Sequence, residues 1–273
     1  MTELVTVVIA EGIADIRFNR PDKHNSLTLE MFHAINAVAE SVANNPAVRV
    51  VVLSGNGPSF CAGLDFSIMR EMLKGPDAAR AVLDQLLARD AGPDNRAQRT
   101  AYGWKSAPVP VIAALHGVAF GGGCQIALGA DLRIAAPDTR MSVMEIKYGL
   151  VPDMGLTQTL PELVRLDVAK DLTLTGRVVA AQEALELGLV TRIADDPLAV
   201  AFEIARGIAA RSPAAIRACK RLLNEAWRAD ARSGLKLEED LQLTLLGSPN
   251  QIEAVNASMQ KRAAKFADVG GGS

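Results

Sequence analysis

Val109-Pro110-Val111-Ile112-Ala113-Ala114-Leu115-His116-Gly117-Val118-Ala119-Phe120-Gly121-Gly122-Gly123-Cys124-Gln125 carries the reading of this chain. Its first seven residues are a continuous apolar run, the mark of a strand covered on both faces. The run leads into a glycine triplet, and the triplet opens a stretch, Cys124 to Ala130, that reads as a buried helix. The first N–H groups of a helix have no partner within it, and glycine lets other atoms approach them closely. The positive end of the helix dipole faces whatever binds there. About sixty residues earlier, Ser59-Phe60-Cys61-Ala62-Gly63-Leu64-Asp65 offers a second glycine-bearing loop. Two backbone donors converging on one oxygen make an oxyanion hole, suited to chemistry that turns a carbonyl into an enolate or a tetrahedral intermediate.

Working outward, Leu4 to Ile9 and Ile13 to Phe18 alternate as strands around a Glu11-Gly12 turn. Arg20 to Ser26 is a polar loop. Thr28 caps a predicted helix reaching about Asn44, with Leu29, Phe32, Ile35, Val38 and Val42 at helical spacing. Val48 to Ser54 is a second continuous apolar run, and Leu132 to Ala135 and Gly188 to Ile193 are shorter ones. Strands alternating with helices predict an α/β core. Residues 66 to 106 are charged, amphipathic and helical, broken at Gly75-Pro76 and Gly92-Pro93. They form either the wall of a binding pocket or a surface helical pair. After Asp195 the pattern is almost wholly helical, with Pro197, Pro213 and Pro249 at helix starts. The expected organisation is a core over 1–195, a helical region over 196–266 and a flexible tail over 267–273.

At 273 residues the chain holds one sizeable domain, with or without a helical appendage. A net charge of −2 with no basic block argues against nucleic acid as a partner; Arg217 to Arg221 reads as a solvated helix face. Cys61, Cys124 and Cys219 are too widely spaced for a metal signature or a disulfide framework, and reduced thiols fit the cytoplasm. The start, Met1 to Val5, lacks the pattern of a signal peptide, and no apolar run approaches the ~20 residues that span a bilayer. The expected protein is cytoplasmic, with no membrane partner.

Five motifs now stand in order: Arg20-Pro21-x-x-x-Asn25-Ser26-Leu27, Phe60-Cys61-Ala62-Gly63-x-Asp65, His116-Gly117-x-x-x-Gly121-Gly122-Gly123, Ala130-Asp131-Leu132-Arg133 and Gly149-Leu150-Val151-Pro152. Together they resemble the enoyl-CoA hydratase/isomerase (crotonase) family, and the likeness runs from about residue 4 to residue 266. The resemblance implies a spiral of ββα units followed by a helical C-terminal region that mediates trimer formation, often as a dimer of trimers. It implies an acyl-CoA thioester substrate, with coenzyme A as part of that substrate and no separate cofactor or metal. It places the oxyanion donors at the backbone N–H groups of Leu64 and Gly122. Ala62, Asp65 and Met144 fall at substrate-binding positions, while Lys23, Lys261 and Phe266 fall where coenzyme A contacts are expected.

The acid–base positions depart from the family's hydratases, which carry two glutamates. The first of those positions holds Gln125; the second, twenty residues later, holds Glu145. Gln125, three residues beyond Gly122, lies on the site-facing side of the helix and can orient a water or a carbonyl, but it cannot exchange a proton near neutral pH. Eight residues beyond Glu145 stands Asp153. That spacing resembles the family's dienoyl-CoA isomerase branch, although that branch has an Asp where Gln125 stands. Asp153 is either a second proton carrier or a structural partner. The leading expectation is an enoyl-CoA isomerase. A weak hydratase is the alternative, and an acyl-CoA-binding relative without turnover and a CoA thioesterase are further readings. A nucleotide-binding protein is disfavoured, because no Lys-Ser/Thr follows the glycines. His116 is expected to be satisfied by hydrogen bonds, Cys61 and Cys124 to be small fillers, and Met144 and Met154 to shape an acyl pocket.

Overall fold

The computed structural model describes residues 3–90 and 92–270, so Gly271 to Ser273 of the expected tail, and Met1 and Thr2, lie outside the described residues. The first hairpin pairs β1 (Val5–Ala10) with β2 (Ile13–Phe18), and helix α1 (Leu29–Ala43) follows, its N-terminus capped by the Thr28 hydroxyl. Then come β3 (Val50–Gly55) and the helices α2 (Phe66–Met72), α3 (Pro76–Leu86) and α4 (Arg96–Ser106), separated where the Gly-Pro pairs predict breaks. The run at 109–125 becomes β4 (Val111–Leu115), β5 (Val118–Phe120) and α5 (Gly122–Leu128). Next are β6 (Leu132–Ala135), β7 (Arg140–Ser142), α6 (Leu156–Thr159), α7 (Leu166–Thr175), β8 (Val179–Ala180), α8 (Ala181–Leu187) and β9 (Arg192–Ile193). The chain closes with α9 (Pro197–Ala209), α10 (Pro213–Ala226), α11 (Ala231–Leu245) and α12 (Pro249–Met259). Gly188 to Ile193, read as one strand, is a strand only at its last two residues; Gly188 instead ends α8 in a left-handed turn.

Six strands make one sheet in the order β1-β2-β3-β4-β6-β9, parallel except at the β1–β2 edge. A smaller sheet runs β5-β7-β8. The chain passes repeatedly from the large sheet to the small one: β4 leads to β5 and β6 to β7. The segment after β3 does the same, since Cys61 bridges to Ala119 of β5. Each pass turns into helix or helical turn, which gives the spiral of ββα units. Period-2 alternation explains the continuous apolar runs. Val51, Leu53, Ala113 and Leu115 face the main core with α1, while Val50, Val52, Ile112 and Ala114 face a second core closed by Ala201, Ala205 and Ala209 of α9.

That second core moves the boundary expected at residue 196. α9 packs across β2, β3, β4 and β6 of the large sheet, so it belongs with the sheet core and not with the later helices. The tail expected to be flexible from 267 is also tied down in part. Ala267 donates to Asn250, and Asp268 pairs with Arg49 at 2.7 Å. No helix is long and apolar enough to cross a membrane among the described residues.

Candidate active site

The loops after β3 and β4, both at the C-terminal end of the parallel strands, meet above the first turn of α5. Asn25 makes the first tie: it is fully buried, accepts from the N–H of Arg20, and donates to the carbonyls of Asn56 and Ser59. Leu27 then holds the glycine loop by two backbone bonds, donating to Gly63 O and accepting from the N–H of Asp65. Gly63 adopts φ +87°, and a Cβ there would stand 2.5 Å from Phe120 O and 3.5 Å from Gly122 N. Only glycine lets the two loops lie this close. Among the described residues, the N–H groups of Leu64 and Gly122 carry no hydrogen-bond acceptor. Both residues line a cavity of about 240 Å³.

Glu145 and Asp153 line the same cavity. Glu145 opens a single 3-10 turn after β7, and its Oε1 accepts the Gln125 Nε2–H at 2.7 Å. Gln125 Oε1 in turn accepts the N–H of Met154 at 2.9 Å. Glu145 Oε2 is buried without a partner. Burial pushes the Glu145 carboxyl up, and the charge of Asp153 adds to the rise against the opposing hydrogen bonds from the backbone and Gln125. Asp153 keeps access to solvent through the cavity, yet the protein packed around its carboxyl raises it as well.

The structure therefore brings Leu64, Gly122, Glu145, Asp153, Ala62 and Met144 to one cavity. Gln125 does not line the cavity; it is buried beside Glu145, with its amide nitrogen donating to Glu145 and its oxygen accepting from Met154 N–H. Asp65 is not at the cavity either. It caps α2 by accepting from Ser67 N–H and pairs with Arg20 at 3.1 Å. Burial works against this carboxylate, but the bonds from Ser67, Ser26 and Arg20 outweigh it and hold the group well below the usual carboxylate range. Lys23 is exposed on a turn adjoining the cavity, since the next residue, His24, accepts from Ala62 N–H. Lys261 and Phe266 are placed elsewhere in this chain. The Phe266 carbonyl accepts from Arg49, just before β3, at the opposite end of that strand from the cavity. Lys261 lies exposed in the turn after α12.

His116 is satisfied as expected, its Nε2 lying 2.9 Å from Gly57 O. Cys61 and Cys124 are fully enclosed, and burial pushes both thiols up to about 12, which leaves them inert. Sequence reasoning gave no role to Phe66 and Tyr148, which meet edge-on at the cavity with centroids 6.2 Å apart. They stand 82 residues apart on separate segments, and nothing in their spacing marks them as a pair.

The arrangement has parallels. Residues 8–269 match the family model described as enoyl-CoA hydratase/isomerase. The chain is 34% identical to the peroxisomal Delta(3,5)-Delta(2,4)-dienoyl-CoA isomerase of Arabidopsis thaliana, over 97% of this chain and 96% of the relative. It is 32% identical to the short-chain-enoyl-CoA hydratase of Clostridium acetobutylicum, over 95% of this chain and 97% of that protein. The crystal structure of an enoyl-CoA hydratase from Bacillus anthracis is similar at a TM-score of 0.86 and 30% identity, covering 96% of this chain and 98% of that one. Matching along nearly its whole length in sequence and in fold, the chain belongs to the enoyl-CoA hydratase/isomerase family.

Proposed function

We propose that this protein is an enoyl-CoA isomerase that moves a double bond along the acyl chain of a coenzyme A thioester. The supporting observation is the Gln125–Glu145 hydrogen bond: where two proton-carrying groups would be needed for efficient hydration, one is an amide that occupies itself with positioning the other. Glu145 Oε2 takes the C2 proton of a 3-enoyl ester. The electron pair moves into a dienolate whose oxygen accepts the N–H groups of Leu64 and Gly122. The same proton returns at C4, from Glu145 directly or through Asp153, and the double bond stands between C2 and C3. Nothing is oxidised or consumed, and no cofactor or metal is required; coenzyme A is only the handle of the substrate.

Desolvation suits this cycle. A carboxylate raised towards neutral pH is a stronger base and holds its proton long enough to return it. Hydration of a 2-enoyl ester is the second reading, favoured by the 32% identity to a relative named as a hydratase. On either reading we place the enzyme in the cytoplasm as a homotrimer or a dimer of trimers. Exposed Leu235, Leu243 and Leu246 on and after α11, with Ile252, Val255 and Met259 on α12, offer the apolar surface for such assembly.

The test is incubation with a 3-enoyl-CoA, and separately a 2-enoyl-CoA, in D₂O with products followed by mass spectrometry. Conversion of the 3-enoyl to the 2-enoyl ester with little 3-hydroxyacyl product is expected. Dominant formation of the 3-hydroxyacyl ester would make the protein a hydratase. Binding with neither product would remove both readings.

A further inference from the structure

The N–H groups of Leu64 and Gly122 reach the cavity by different means. Each belongs to a planar trans peptide, so each points opposite to the carbonyl of the residue before it. For Gly122 that carbonyl is Gly121 O, which accepts the first bond of α5 from Gln125 N–H at 3.0 Å. The helix itself aims this donor. For Leu64 the carbonyl is Gly63 O, which accepts from Leu27 N–H at 2.8 Å, while Leu27 O accepts from Asp65 N–H at 2.9 Å. Leu64 lies in no helix or strand; it is held only by an isolated bridge to Leu27.

So short a bridge does not hold its own register. Side chains on both flanks close it. Ser26, the neighbour of Leu27, donates its hydroxyl to Oδ2 of Asp65, the neighbour of Leu64, at 2.7 Å. Arg20 Nη1 donates to the same oxygen at 3.1 Å and also to the Ser26 carbonyl. The Asp65 and Arg20 side chains are only 16% and 19% exposed, so water competes little for these charge-assisted bonds. Asp65 Oδ1 accepts from Ser67 N–H at 2.9 Å and caps α2. Phe66, Met69 and Met72 of that helix line the cavity, so the stretch from residue 66 is pocket wall and not a surface helical pair.

We infer that Asp65 is a positioning residue: through Ser26 and Leu27 its carboxylate fixes the plane of the Gly63–Leu64 peptide and so aims the Leu64 N–H at the substrate carbonyl oxygen. The inference rests on the oxyanion-hole reading above, which isomerisation and hydration share, and not on which of the two follows. Donors to a developing oxyanion act by being placed beforehand, and loss of one costs ~10²–10³-fold in kcat. A donor present but loosened should cost ~10-fold or more.

The experiment reads the carbonyl directly. Butanoyl-CoA carrying ¹³C at the thioester carbonyl is bound to the whole protein, and its carbonyl stretch is isolated by infrared difference against the unlabelled ester. A saturated ester neither isomerises nor hydrates, so the band is independent of the reaction assigned above. In the unaltered protein it should lie below the band of the free ester in buffer. Asp65→Ser keeps an oxygen that can cap α2 but is too short to reach Ser26 and Arg20 as well. Ser26→Ala leaves the cap untouched and removes only the hydroxyl. In both variants the band should move back towards that of the free ester, further in Asp65→Ser. In Asp65→Ser, kcat on whichever enoyl ester is turned over should fall at least ~10-fold, with KM changed by less than about threefold. A lowered band that stays in place in a folded variant overturns the inference; should Asp65→Ser fail to fold, Ser26→Ala decides. A higher KM with kcat unchanged also overturns it, since Asp65 would then serve only as the cap of the α2 wall. No lowering in the unaltered protein removes the oxyanion hole and this inference with it. Bands that move as expected without turnover of any enoyl ester leave the inference standing and remove the isomerase reading.

Discussion

Gln125 donates its amide N–H to Oε1 of Glu145 at 2.7 Å and leaves Oε2 of the same carboxylate buried without a partner. One oxygen is held by the amide, and the other is enclosed with no hydrogen-bond partner. The amide is itself anchored by Met154 N–H, two bonds that together join α5, the Glu145 turn and the loop carrying Asp153. Gln125 therefore ties the Glu145 carboxylate to the backbone at Met154.

Glu145→Gln keeps the shape of the side chain and can still accept from Gln125, but it removes the only base held in this manner. Isomerisation should fall ~10²–10⁴-fold while thioester binding is retained. The same change should raise stability at neutral pH. The native carboxyl is raised in the folded protein, so its protonated form favours folding at low pH and that contribution is lost as pH rises through the raised value. The variant escapes this loss, so its advantage in thermal unfolding should be present at pH 7 and vanish below the ordinary carboxylate range. Full activity in the variant would remove Glu145 from the mechanism.

The acid limb of kcat/KM should lie above that of an ordinary carboxylate, because Glu145 must be ionised to act and burial opposes its ionisation. The groups facing it are Asp153, whose charge raises it further, and the Cys124 thiol, which stays protonated. Asp153→Asn removes the like charge, so the limb should move to lower pH. If Asp153 also relays the proton, kcat drops at all pH values; if it acts only by its charge, the plateau is preserved. A pH profile on the 3-enoyl ester separates the two.

Gln125→Glu should turn the site towards hydration. The new carboxylate keeps an acceptor for Met154 N–H but brings no N–H to Glu145, so two carboxyls stand at hydrogen-bond distance and share a proton. One then serves as acid and the other as base. Formation of 3-hydroxyacyl ester from the 2-enoyl ester should rise ~10²-fold, the lower end of what an added acid or base gives. No gain would mean that position 125 stays too far behind Glu145 to reach the reacting carbons.

Lys220 of α10 is buried and donates to the carbonyls of Trp104 and Val109 and to Asp131 Oδ2, the last at 2.7 Å. Asp131 also accepts from Val111 N–H at the start of β4. Removing the cation takes this donor from the Trp104 and Val109 carbonyls and leaves Asp131 with the Val111 N–H alone. Lys220→Ala should cost about 3 kcal/mol, seen as a fall in thermal midpoint of several degrees, with the cavity residues untouched. A loss under about 1 kcal/mol would mean that solvent replaces the lysine.

Much of this was legible in the sequence, and the reason is local. The run at 109–115 faces two cores, so both parities had to be apolar. The glycine triplet and Thr28 announce their own backbone geometry through φ freedom and capping. Glu145 and Asp153 were readable from motif register. What was not readable depends on where side chains end. Gln125 and Asp65 each sit in a motif, yet both face protein partners, Glu145 with Met154 and Ser26 with Arg20, that lie far away in sequence. Likewise the helical pattern of α9 is that of any amphipathic helix, and nothing in it says that its alanines lie flat on the large sheet. Lys261 and Phe266 followed the family pattern by position alone, and position does not carry them to this chain's own cavity.

Adjacent glycines of the triplet should respond unequally to alanine, because what surrounds them differs. A Cβ on Gly123 would stand 2.3 Å from the Cys61 carbonyl oxygen, a backbone atom fixed by the N–H of Phe120 in the bridge between Cys61 and β5. Neither side can give way, so Gly123→Ala should unfold the loop junction and lower the thermal midpoint severely. A Cβ on Gly122 would meet Met154 Sδ at 2.8 Å and Leu27 Cδ1 at 2.9 Å, both ends of flexible side chains. That protein should fold with a modest loss, since a methionine repacks easily. Its turnover should nevertheless fall, because Met154 also supplies the N–H that anchors Gln125, and the added methyl presses on the Gly122 donor itself. Loss of one oxyanion donor costs ~10²–10³-fold in kcat, and misalignment should cost up to that. Thermal unfolding and kcat measured together give the test: a folded, fully active Gly122→Ala protein would show that the N–H of Gly122 does not meet the substrate oxygen.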